Sequence, residues 1–202
     1  MRKNLVRAAC YSGEVSIGTF VSIADPVSAQ IFAHSNFAWL VIDMEHGPVP
    51  MAALSGIINA IRATATEPFV RAQWNTSAAI QVALDHGASG VMVPMVNSAA
   101  DAQRAVDDVR FSPLGARSRG GVKVALSFDT DSATYFRTAN DEVPCRLPPR
   151  GTARSPAFLP HRRLWRTNVS SAATRSSVAE PTPRCCGRRP AGCARKSTHD
   201  NP

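Results

Sequence analysis

Over the first 110 residues, short runs of β-branched and aromatic side chains alternate with Ala-rich stretches whose apolar positions recur at helical spacing. Ser16–Val21 has strand composition. Pro26–Ala33 reads as a helix, with Asp25 as its N-cap and Pro26 in the first helical position, where a missing N–H costs nothing. Trp39–Asp43 is a near-continuous apolar strand, and 52–63 is a helix with Leu54, Ile57, Ile58 and Ile61 on one face. The spacing predicts a third strand over 68–74, a helix over 76–86 that Gly87 caps, a fourth strand over 91–96 and a helix over 98–109 capped by Ser98.

Four strand–helix repeats with strands apolar on both faces imply a parallel sheet covered by helices. Two architectures satisfy this, a doubly wound sheet and a closed barrel. No Gly-x-Gly-x-x-Gly follows the first strand, which argues against the dinucleotide-binding version. The expected fold is therefore an α/β, (β/α)8-type (TIM) barrel. The 202 residues fall short of the roughly 250 of a complete barrel, so only about four βα units are expected. Beyond Arg110 the pattern loosens into a loop over 111–121, and a short helix follows over 132–140. A fifth strand is due at Val143. The chain instead runs Pro144-Cys145-Arg146-Leu147-Pro148-Pro149-Arg150, and three prolines in seven residues cannot form a central strand.

Charge sharpens this break. The net charge is +8, but residues 1–143 hold 11 basic and 13 acidic residues, a net of −2, whereas 144–202 hold 12 and 2, a net of +10. The later segment contains 9 of the 15 prolines, four of the five cysteines and no Ile, Met or Tyr. The division expected is a partial barrel domain over 1–143 and a basic, Pro/Arg/Cys-rich tail over 144–202, too poor in large apolar side chains to offset its ordering entropy and hence disordered. The tail's composition matches GC-rich coding sequence read out of frame, so a frameshift near codon 143 is one explanation for it. Cys185, Cys186, Cys193 and His199 lack the paired Cys-x-x-Cys spacing of structural zinc sites. The arginines at 162, 163, 166, 188 and 189 could contact phosphates, but only Trp165 is near them for base stacking, so nucleic acid is not the expected partner. No run of 18 apolar residues exists and the basic start leads into no apolar stretch, so neither a membrane span nor a signal peptide is expected, and a cytoplasmic protein is.

Barrel enzymes place reactive groups just past the C-terminal ends of their strands. Ile42-Asp43-Met44-Glu45-His46-Gly47 lies there, with two carboxylates and an imidazole in one tight turn. Arg71 ends an otherwise apolar strand. It must meet an anion, either a substrate or a structural partner such as Asp43 or Glu45. Asp85 sits near a helix end, where solvated surface is the ordinary reading. His34 and His86 read as ordinary helix residues, and Arg117-Ser118-Arg119-Gly120-Gly121 reads as a flexible basic loop, with a carboxylate or phosphate cradle as its alternative.

Taken together, the stretches from Phe37 to Pro48, from Pro68 to Asn75, Leu84-Asp85-His86-Gly87-Ala88, Val93-Pro94-Met95-Val96 and Ala139-Asn140-Asp141-Glu142 resemble the HpcH/HpaI pyruvate aldolases in order and spacing, over roughly 14–143. The resemblance is closest to the 4-hydroxy-2-oxoheptanedioate type of aromatic catabolism, with the 2-dehydro-3-deoxyglucarate type beside it. It implies aldol cleavage of a 4-hydroxy-2-oxo acid to pyruvate and an aldehyde, in a homo-oligomer, with a divalent metal (Mg, Mn or Co) as Lewis acid. His46 matches the catalytic base, Arg71 the group that stabilises the developing oxyanion, and Asp85 the carboxylate that raises the basicity of the histidine. Asp43 and Glu45 would lie near the metal's water ligands. The family's metal-binding Glu and Asp, in Gln-Ile-Glu and Gly-Val-Asp contexts, have no counterpart in 144–202, where the only acids are Glu180 and Asp200. Impaired or absent activity is therefore expected of this chain.

Overall fold

Every strand of the computed structural model runs parallel to its neighbours, in the order β5-β4-β3-β2-β1-β6. The structure describes residues 1–120, 122–146 and 165–167. The elements are α1 (Leu5–Ser12), β1 (Ser16–Val21), α2 (Pro26–Ala33), β2 (Trp39–Asp43), α3 (Met51–Arg62), β3 (Glu67–Arg71), α4 (Ser77–Asp85), β4 (Gly90–Met92), α5 (Ala99–Val109), α6 (Lys123–Leu126), α7 (Ser132–Glu142), β5 (Cys145–Arg146) and β6 (Trp165–Thr167). Asp25, Thr76, Ser98 and Asp131 each accept a backbone N–H of the first helical turn, which fixes where α2, α4, α5 and α7 begin. No helix among the described residues is long and apolar enough to cross a membrane.

Two faces of the sheet differ in kind. Val21, Ile42, Val70, Val91 and Cys145 form one cross-strand row on the face that the helices cover. Against it pack Leu54, Ile57, Ile58 and Ile61 of α3 and Ile80 and Leu84 of α4, all essentially inaccessible. Burying each such side chain stabilises the fold by roughly 1.5–3 kcal/mol before entropy is counted. The opposite face carries Phe20, Trp39, Val41, Phe69 and Met92, and Val6 and Cys10 of α1 pack onto it. Gly18 makes this possible, since a Cβ there would lie 2.1 Å from the Trp39 ring. Gly90 does the same beneath Phe69, at 2.4 Å.

Several boundaries differ from the sequence expectation. The third strand ends at Arg71 rather than 74, and the fourth covers only Gly90–Met92, because Pro94 offers no donor and Met95 takes a left-handed backbone (φ 53°). Helices α1 and α6 were not anticipated. The break expected at 143 falls a little later. Cys145 and Arg146 pair with Val91 and Met92 as a two-residue edge strand, a position where the preceding proline is tolerated, and 165–167 pair with β1. These five residues depart from the disorder expected of 144–202. The rest of that segment, with its cysteines and the zinc reading, lies outside the described residues.

Candidate active site

Strand register puts Asp43 of β2 directly beside Arg71 of β3. Both side chains fall on the face carrying Phe20, Val41 and Phe69, away from the helix layer, because alternate residues share a face. The pair is bidentate. Arg71 Nε donates to Asp43 Oδ1 at 2.9 Å and Nη2 donates to Oδ2 at 2.6 Å. Asp43 Oδ1 also accepts the backbone N–H groups of Glu45 and His46, each at 3.1 Å, so the carboxylate folds the turn that carries the next two polar side chains. Burial pushes the Asp43 pKa upward, but the Arg71 hydrogen bonds and charge and the two backbone donors outweigh it, and the group stays below its ordinary range. The Arg71 pKa rises in turn, chiefly through its hydrogen bonds to Asp43.

Glu45 links the cation to the imidazole. One of its oxygens lies 3.1 Å from Arg71 Nη1 and the other 3.7 Å from His46 Nε2. The His46 side chain is 72 % exposed, whereas Arg71 is 21 % exposed and lies beneath the Phe20 ring, 5.0 Å from its centroid. Imidazole, carboxylates and guanidinium therefore meet at the C-terminal ends of adjacent strands. Asn75, buried just past β3, has neither amide atom hydrogen-bonded.

Asp85 is elsewhere. A helix that follows a strand runs back along it, and α4 is nine residues long, about 13 Å at 1.5 Å per residue. Its last residue lies toward the strand starts, where Ser89 donates to Glu67 at 2.5 Å and its N–H reaches the Pro68 carbonyl. Asp85 pairs with Arg117, Nη2 to Oδ1 at 2.9 Å, instead of approaching His46. The segment expected to be a flexible basic loop thus buries its first arginine. The Arg117 side chain is 1 % exposed, stacks 4.5 Å from the Phe111 centroid and donates to the Tyr135 hydroxyl at 3.3 Å. His34 and His86 are the C-caps of α2 and α4, as ordinary helix residues. Sequence reading passed over Phe20, and it placed Arg117 in a basic loop without naming Asp85 as its partner. Phe20 is legible from strand alternation. Arg117 is not, because its partner is 32 residues away.

No group of three or more His, Cys, Asp or Glu side chains among the described residues is placed to hold a metal ion. The donor chemistry gives the reason. Both Asp43 oxygens and one of Glu45 are already committed to Arg71, and no further carboxylate converges on them. The described residues of 1–146 do not fit a divalent metal by themselves, and Asp43 holds Arg71.

Fold and site define a class, that of parallel α/β proteins which gather carboxylate, imidazole and guanidinium groups where their strands end. Within it, the chain belongs to the HpcH/HpaI aldolase/citrate lyase family, whose model matches residues 16–146. It is 33 % identical over 140 residues to a hydroxypyruvate/pyruvate aldolase of Roseovarius nubinhibens, covering 69 % of this chain and 54 % of that protein. It is 34 % identical over 141 residues to a 4-hydroxy-2-oxo-heptane-1,7-dioate aldolase of Salmonella dublin, covering 70 % and 54 %. A crystal structure of an HpcH/HpaI aldolase/citrate lyase family protein from Burkholderia cenocepacia superimposes with a TM-score of 0.65 at 30 % identity, over 72 % of this chain and 59 % of that one. The chain spans about half the length of the curated relatives it matches.

Proposed function

We propose that residues 1–146 carry the base-and-cation part of an aldolase site, for cleavage of a 4-hydroxy-2-oxo acid to pyruvate and an aldehyde. The observation that carries the reading is the Asp43–Arg71–Glu45–His46 chain of contacts at the C-terminal ends of β2 and β3. In this reading Arg71, held rigid by Asp43, presents positive charge to the oxyanion that develops on the 2-oxo group. His46, exposed beside it, takes the proton of the 4-hydroxyl as the carbon–carbon bond breaks. Asp85 of the same chain is at the other end of α4, so as a helper acid for His46 it would have to come from a second copy, in a homo-oligomer. The strands follow one another in chain order from β1 to β5 without reversal, which supports a sheet that curls toward a closed barrel rather than a doubly wound one. The cytoplasm is the proposed compartment and a small 2-oxo acid the proposed substrate class.

The carboxylates for a Mg, Mn or Co ion must come from outside residues 1–146, so the isolated chain is expected to turn over slowly or not at all. The test is pyruvate release from 4-hydroxy-2-oxoheptanedioate by the purified 202-residue chain, read by coupled NADH oxidation with each metal added. The expected rate is at or near background. Release at the rate of the full-length Salmonella dublin relative, abolished by His46→Ala, would overturn the impairment. The same release undiminished by His46→Ala and Arg71→Ala would overturn the site.

A further inference from the structure

Neighbouring side chains on an extended strand point to opposite faces, so Glu45 and His46 would ordinarily have no contact. Here the chain has left β2, and Asp43 draws it into a turn. Its Oδ1 accepts both the Glu45 and the His46 backbone N–H, each at 3.1 Å. The same oxygen accepts Arg71 Nε, so turn and guanidinium share one anchor. The Glu45 side chain is 13 % exposed and is held at its tip, with Oε2 3.1 Å from Arg71 Nη1. Its other oxygen faces the imidazole, 3.7 Å from Nε2. Among the described residues no other carboxylate pairs with His46. Asp85 is engaged by Arg117, at the other end of α4.

A neutral imidazole carries its proton on one of two nitrogens, and the acceptor it meets decides which. A fixed anion beside Nε2 favours the Nε2–H tautomer and leaves the Nδ1 lone pair open. A small rotation of a ring that is 72 % exposed closes the gap from 3.7 Å to a hydrogen bond. We infer that Glu45 is the positioning residue of the His46 base, holding Nε2 protonated so that Nδ1 is the atom that accepts the substrate proton. The role rests on the aldolase reading, whereas the contact does not. In that role the 4-hydroxyl proton passes to Nδ1, and the O–H pair becomes the second bond of the aldehyde carbonyl. The pair of the breaking C3–C4 bond moves between C2 and C3, leaving an enolate oxyanion on the former 2-oxo oxygen, beside Arg71. Glu45 faces the imidazolium charge as it forms.

The test is nitrogen-15 NMR of the ring nitrogens in the labelled 202-residue chain, at about pH 8.5, above the ordinary imidazole range. His46→Ala identifies the His46 signals by their loss. The Nε2–H form should dominate in the parent. Glu45→Ala and Glu45→Gln, the second keeping the shape without the charge, should each lower the ratio of Nε2–H to Nδ1–H at least threefold. Arg71 keeps Asp43 in both variants, so its Nε–H signal should persist as the sign of a folded site. A ratio unchanged in both variants overturns the assignment, and so does a parent in which Nδ1 carries the proton. So does a ratio that Asp85→Asn moves and Glu45→Ala does not, which would give the role to the Asp85 of a second copy. A ratio that responds to Glu45, alongside pyruvate release that His46→Ala leaves undiminished, supports the positioning and counts against the aldolase reading.

Discussion

Replacing Asp43 by Asn removes the anion from a clamp whose geometry sets the size of the effect. Both hydrogen bonds are charge-assisted, at 2.9 and 2.6 Å, and the Asp43 side chain is 6 % exposed. Removing one partner of a fully buried pair costs about 3–5 kcal/mol, and an exposed pair is worth about 0.2–1. Arg71 is one-fifth exposed and keeps Glu45, so the cost of Asp43→Asn should be about 2–3 kcal/mol, between those limits. Arg71→Met leaves Asp43 with two backbone donors and should cost about 2 kcal/mol. A double-mutant cycle by urea denaturation at pH 7 should give a coupling of about 1.5–2.5 kcal/mol, each single variant lowering the midpoint by about 1 M. The folded pKa of Asp43 lies below its ordinary 3.8, so its contribution is fully present above about pH 4 and is lost as pH falls through the lower, folded value. The Asn variant should accordingly lose less stability below pH 4 than the parent. A coupling under about 0.5 kcal/mol would show that Arg71 is not held by Asp43, and its assignment as a preorganised cation would fall with it.

Asp85→Ala should be the more damaging member of its pair. It strands a buried guanidinium whose Nε already lacks a partner, at about 2–4 kcal/mol, while Arg117→Met fills the same space with apolar atoms and should cost under about 1 kcal/mol. Urea midpoints in the reverse order would refute the burial argument. Gly18→Ala places a methyl 2.1 Å from the Trp39 ring and 2.3 Å from its carbonyl oxygen, so backbone must yield. A cost of roughly 3 kcal/mol is expected, with a changed Trp fluorescence spectrum, and a variant within about 0.5 kcal/mol of the parent would show that the indole is free to move.

The sequence carried the fold where a local rule decided it. Asp25, Thr76 and Ser98 announce helix starts because a short polar side chain before an apolar run has one good use there. The same signal existed for α1, where Asn4 caps the first turn and Gly13 closes the last in a left-handed conformation. It was obscured by the lack of any preceding strand against which to set a helix of eight residues. The Asp43–Arg71 pair was half legible: a cation on an apolar strand demands an anion, but only strand register says which. Asp85 was legible as a carboxylate at a helix end, but its partner within the chain, Arg117, was not. The direction of α4, readable from the strand–helix–strand order, is what separates Asp85 from His46 within a single chain. The burial of Arg117 had no local signal, since the aromatic side chains that cover it come from Phe111 and from α7.

The start of the chain is fastened to the end of α7. The Asn4 N–H reaches the Glu142 carboxylate at 2.9 Å, and its side-chain amide reaches the Ser89 carbonyl at 3.0 Å. A growing polypeptide therefore makes α1 first and completes its contacts last, after some 140 residues have emerged from the ribosome. Its apolar stripe can meet Trp39, Val41 and Phe69 earlier, and the Glu142 contact closes last. Whatever is fused ahead of Met1, a purification handle or a reporter, sits on that late-closing seam, and it would slow maturation more than the same addition elsewhere on the surface.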